Sequence, residues 1–121
     1  MMEKPELRLH HIGINTENKE DALHTVNQLC TLFDLIPNTR KSGSPFAGSN
    51  IEVVPGGTWG KHGHLAFYVK DMQAGIAYLE SKGQTVVYDS AKRNPDGSIY
   101  LIYLKEEIAG FAIHLFSDKQ S

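Results

Sequence analysis

Residues 7–15, LRLHHIGIN, and residues 63–71, GHLAFYVKD, decide the fold. Each stretch alternates apolar and polar side chains with the two-residue period of a half-buried strand. Each leads into apolar residues at three- and four-residue steps: Leu23, Val26, Leu29, Cys30, Phe33 and Ile36 after the first, Met72, Ile76 and Leu79 after the second. That spacing predicts two amphipathic helices. Asn18 or Thr16 can cap the first, with Glu20 and Asp21 in its first turn and Pro37 to end it. Gly83 is placed to stop the second.

Working outward, 50–54 (NIEVV), 84–89 (QTVVYD), 98–105 (SIYLIYLK) and 110–117 (GFAIHLFS) read as strands. The turn formers of 37–49 leave room for one or two short strands, and Asn94-Pro95-Asp96-Gly97 is a strong turn. His11-Ile12-Gly13 can be set over His64-Leu65-Ala66. Leu23 and Ile76 then both lie 12 residues beyond their histidine, and Val26 and Leu79 both lie 15 beyond. This is an internal repeat of about 53 residues. It predicts an α+β fold in one domain over 1–121, built from two βαβββ modules at about 7–56 and 63–117. The modules should share a curved, mostly antiparallel sheet with the helices on its outer side.

The chain has 121 residues, 40% of them hydrophobic, and a formal net charge of −2. Such a balance provides a core but not the positive field of a general nucleic-acid binder. No apolar run reaches the roughly 20 residues of a membrane span, and the first nine residues show no secretory h-region. Cys30 is the single cysteine, so no intrachain disulfide can form and a reducing, cytoplasmic setting is expected.

Strand parity sorts the polar residues. Ile12 and Ile14 should cover a helix, leaving His11 and Gly13 on the other face. Leu65, Phe67 and Val69 oppose His64, Ala66 and Tyr68. Ile51 and Val53 oppose Glu52, and Phe111, Ile113 and Leu115 oppose Ala112, His114 and Phe116. Four strands thus each place one metal-ligating type away from the helices: His11, Glu52, His64 and His114. Imidazoles with one carboxylate suit borderline divalent ions such as Zn, Ni, Co, Fe or Mn. His10, His24 and His62 are read as surface or hydrogen-bonded residues.

The segments LHHIGINTENKEDAL and GKHGHLAFYVKDMQAGIAYLESKG resemble the two half-motifs of the vicinal oxygen chelate superfamily, which includes glyoxalase I, extradiol dioxygenases, methylmalonyl-CoA epimerase and bleomycin-resistance proteins. The resemblance covers nearly the whole chain. It implies metal ligands from the first and last strand of each module, which by position are again His11, Glu52, His64 and His114. Glyoxalase and epimerase members usually carry a glutamate in the last strand. Here GFAIHLF puts His114 in that place, and NPDG falls in the preceding hairpin. That departure argues against glyoxalase I activity but not against metal binding. KHGH together with GFAIHLF is also similar to small domains attached to sugar-acid aldolases.

Three histidines and one glutamate around a 2+ ion would make a +1 centre able to polarise a carbonyl or hold two adjacent oxygens of an enediolate. Tyr68, Phe116, and Tyr100 or Ile102 are candidates to line a substrate pocket, with Lys61 and Arg93 for an anionic group. No residue stands out as a catalytic base. Two classes of function follow. One is a metal-dependent lyase, isomerase or epimerase of a small carbonyl or hydroxy-acid substrate. The other is a non-catalytic small-molecule binder of the bleomycin-resistance type, or an accessory domain of sugar-acid metabolism. A homodimer is expected, because small two-module chains of this superfamily commonly pair.

Overall fold

The computed structural model describes residues 4–39, 43–57 and 59–120. The chain runs β1 (Arg8–Thr16), α1 (Lys19–Phe33), β2 (Pro37–Asn38), β3 (Phe46–Ala47), β4 (Ile51–Pro55), β5 (Gly63–Tyr68), α2 (Met72–Ser81), β6 (Val86–Arg93), β7 (Ile99–Leu104) and β8 (Phe111–Phe116). The expected order of strand, helix and three strands therefore occurs twice. All eight strands join one sheet in the order β2-β3-β4-β1-β5-β8-β7-β6. β1 runs parallel to β4 and β5 parallel to β8. The remaining pairings are antiparallel, including the β1–β5 seam where the two halves meet. The register repeats as well: Gly13, two residues beyond His11, pairs with Glu52, and Ala66, two beyond His64, pairs with His114.

The helices begin where the sequence can satisfy their free N–H groups. Asn18 Oδ1 accepts from the Asp21 N–H at 2.8 Å, and Asp71 Oδ1 from the Ala74 N–H at 3.1 Å. α1 stops at Phe33, before Pro37 acts, because Asp34 adopts a left-handed conformation (φ 54°) and the Leu35 N–H turns back to the Cys30 carbonyl. Phe33 and Ile36, at the end of the apolar stripe, are consequently 66% and 80% exposed.

The core has two parts on the helix side of the sheet. Ala22 and Val26 of α1 pack with Ala47 and Val53. Met72 and Ile76 of α2 pack with a larger set that includes Val86, Ile102, Ile113 and Leu115. The first is smaller because β2 and β3 are only two residues each. α1 lies over β3 and β4 rather than squarely over β1. Ile12, expected beneath the helix, is therefore 37% exposed. Among the described residues, no helix is long and apolar enough to cross a membrane.

Candidate metal centre

The face of the sheet away from the helices carries a cavity of about 460 Å³ at the β1–β5 seam. His11, Glu52, His64 and His114 all line it. They come from four adjacent strands, β1, β4, β5 and β8, so the parallel pairing within each half brings its first and last strands side by side. His64 Nε2 lies 3.0 Å and His11 Nε2 3.4 Å from the same carboxylate oxygen, Glu52 Oε1. Ligand atoms of His11, His64 and His114 all fall within 4.8 Å of one another.

Small residues make the room. Gly13 sits in register between Glu52 and His64. A Cβ there would overlap the Cε1 and Nδ1 atoms of the His64 ring. Ala66 takes the equivalent place between His11 and His114.

Burial alone would push the Glu52 carboxyl up. Hydrogen bonds and charge from His11 and His64 outweigh it and hold the group well below the ordinary carboxylate range. His114 is lowered too, which for an imidazole favours the neutral form: burial, then the neighbouring His64 and His11, takes it to about 3. Its Nδ1 is buried without a hydrogen-bond partner among the described residues. A neutral buried imidazole with an unpartnered nitrogen, two further imidazoles and an ionised carboxylate form a donor set that fits a divalent ion.

The depressed His114 value has a consequence for stability. The unfolded chain takes up a proton below the ordinary imidazole value of 6.5, whereas the folded chain refuses it until about 3. The contribution is complete above 6.5 and declines as pH falls through that window, by about 1.4 kcal/mol per pH unit. Glu52 adds to the loss only below the ordinary glutamate value of 4.5. Chemical denaturation of metal-free protein should therefore show about 2 kcal/mol less stability at pH 5 than at pH 7 from this group. Equal stabilities would mean that the His114 ring is solvated.

Of the residues expected to meet a substrate, Phe116 lines the cavity. Tyr68, Lys61 and Arg93 do not. The Tyr68 hydroxyl donates to Asp118 Oδ2 at 2.8 Å, and the Arg8 guanidinium lies over its ring. Lys61 is exposed on the turn before β5. Arg93 Nη1 donates to the Gly97 carbonyl at 2.8 Å and so braces the NPDG turn. Lys92 lines the cavity instead, because register breaks in β6 fall on both sides of it. On β7 the cavity-facing residues are Leu101 and Tyr103, not Tyr100 or Ile102; Ile102 is fully buried in the core.

Sequence reasoning also missed His10. A register break between Leu9 and His11 lets consecutive histidines reach the same cavity, and His10 Nδ1 lies 2.8 Å from His11 Nδ1. That contact fixes which His11 nitrogen is left for Glu52. Trp59 is the other omission. Asn15 Nδ2 donates to the Trp59 and Gly60 carbonyls at 3.3 and 3.0 Å, which ties the loop between the halves down over β1. Trp59 then stacks on Tyr103 with centroids 4.0 Å apart and planes 9° from parallel. Tyr103 is pushed up to about 12 by burial and by the charge on Glu52.

No family model and no curated protein matches the chain by sequence. Solved structures do match in fold. Methylmalonyl-CoA epimerase from Mycobacterium tuberculosis is 21% identical with a TM-score of 0.60, over 99% of this chain and 94% of that one. A variant of the Streptomyces coelicolor methylmalonyl-CoA epimerase, in complex with 2-nitronate-propionyl-CoA, is 19% identical with a TM-score of 0.60, over 93% and 98%. A hypothetical protein from Bacillus halodurans is 18% identical with a TM-score of 0.61, over 96% and 97%. The chain therefore shares its fold with these proteins.

Proposed function

We propose that the protein holds one divalent metal ion among His11, Glu52, His64 and His114 and acts as an isomerase, epimerase or lyase on a small carbonyl or hydroxy-acid substrate. The convergence of three imidazoles and one carboxylate on a single cavity carries this reading. The fold shared with methylmalonyl-CoA epimerases supports the epimerase branch of it. Bound there, the ion would supply Lewis-acid polarisation of a substrate oxygen. The chain's own groups would do the rest. Lys92 attracts an anionic group to the cavity, while Phe46, Leu101 and Phe116 present apolar walls that exclude water from the bound substrate.

A second reading, a non-catalytic binder of the bleomycin-resistance type, is favoured by one observation. Among the described residues that line the cavity, Glu52 is the only carboxylate, and it already engages two histidines. A cytoplasmic setting and a homodimer belong to both readings. Since all four residues of the centre come from one chain, each protomer of such a dimer carries a site of its own.

Elemental analysis of protein purified without chelator should find about one divalent ion per chain, the occupancy expected of a four-residue site. Protein that stays metal-free after exposure to Zn, Ni, Co, Mn and Fe would overturn both the site and the enzyme reading. The metal-loaded protein should also exchange an α-hydrogen of one member of a 2-oxo- and 2-hydroxy-acid panel for deuterium in D2O. Loaded protein that only binds such acids would favour the second reading.

A further inference from the structure

Several of the polar groups around the cavity are committed. Asn15 spends its amide N–H groups on the Trp59 and Gly60 carbonyls. His10 Nδ1 is engaged with His11, and Ser49 Oγ points to Asn50 Oδ1 at 3.5 Å. Lys92 lies on β6, two strands from His114. Tyr103 differs. It is directly opposite His114 in the β7–β8 register, with ring centroids 5.0 Å apart. Its hydroxyl has no hydrogen-bond partner among the described residues.

The ring is also held in place. Trp59 stacks on one side of it, and that tryptophan is anchored through its own carbonyl to Asn15 of β1. The Tyr103 N–H, in turn, donates to Ser90 Oγ at 3.0 Å. A half-buried phenol pinned this firmly, beside a histidine cluster and with an unused donor, has little entropy left to lose when an acceptor arrives. An uncommitted donor facing a cavity of this kind fixes the orientation of whatever oxygen enters it.

We infer that Tyr103 is a substrate-binding residue whose hydroxyl donates a hydrogen bond to a ligand oxygen lodged beside His114, and that Trp59 is the positioning residue that clamps its ring. The ligand class that this selects is one with an acceptor oxygen within reach of the phenol. This rests on the metal-site reading given above.

The test uses the full chain loaded with Co²⁺ and acetohydroxamate as the probe, a small anion with two adjacent oxygens, followed by the visible spectrum of the cobalt. Tyr103→Phe keeps the ring and its stacking and removes only the hydroxyl. It should bind Co²⁺ within about twofold of the wild type yet bind acetohydroxamate at least about tenfold more weakly, as expected for a lost hydrogen bond to a charged acceptor. Trp59→Leu should weaken the probe about threefold through a loosened ring, again with full cobalt loading. Equal probe affinity in Tyr103→Phe and wild type would overturn the inference and leave the metal site standing. So would a loss confined to Trp59→Leu, which would make stacking the source of affinity. Wild-type protein that takes up no Co²⁺ would instead remove the metal-site reading, and the inference with it.

Discussion

A Gly13→Ala protein should fold and yet lose divalent-metal affinity by on the order of a hundredfold. Gly13 lies between Glu52 and His64 in the sheet register, and an added methyl would occupy the volume of the His64 ring. The obstacle is not backbone strain, since Gly13 is not among the glycines with positive φ. The ring must therefore swing away, at the roughly 1–3 kcal/mol that overpacking costs, and the site is left one donor short. Losses of 10–100-fold are typical even for residues that only orient a ligand. Competition against a chromogenic chelator reads the affinity directly. The matched control is Ala66→Gly, at the equivalent place in the second half, which adds no atoms and should bind metal nearly as well as the wild type. Wild-type affinity in Gly13→Ala would show that His64 is not part of the centre.

His114→Ala should lower metal affinity by at least about tenfold, on the same scale of ligand-shell effects, while His24→Ala should leave it unchanged. His114 is 4% exposed within the cluster, whereas His24 is exposed on α1. The alanine variant opens a cavity in a packed region, so a second change separates ligation from packing. His114→Glu exchanges an imidazole for a carboxylate at the same place and should retain metal while shifting preference toward harder ions such as Mn over Zn. Equal affinities in His114→Ala and His24→Ala would refute the placement of His114 at the ion.

The order of elements, the repeat and the face shared by His11, Glu52, His64 and His114 were legible because each depends on a strict two-residue alternation in a strand with one apolar side. Where that alternation failed, so did the reading. Strand 99–104 is apolar on both faces, Ile99 to Leu104, so parity could not separate Tyr103 from Tyr100. His10 is brought inward by a register break between Leu9 and His11, and Lys92 by breaks in β6; no alternation rule reports an irregularity of this kind. Trp59 sits in a loop, where periodicity says nothing. Its place is set by a long-range bond from Asn15. The exposure of Ile12 followed from the tilt of a helix across the sheet, which is a tertiary property.

The matching registers of the two halves mean that an approximate two-fold axis passes through the β1–β5 seam, exchanging His11 with His64 and Glu52 with His114. Were the last pair identical, the two flanks of this part of the site would offer a ligand the same groups. The Glu–His difference removes that degeneracy. One flank carries a fixed negative charge. The other carries a neutral ring with Tyr103 beside it. The two flanks are therefore chemically unlike, and the Glu–His difference gives a pseudo-symmetric cavity a front and a back.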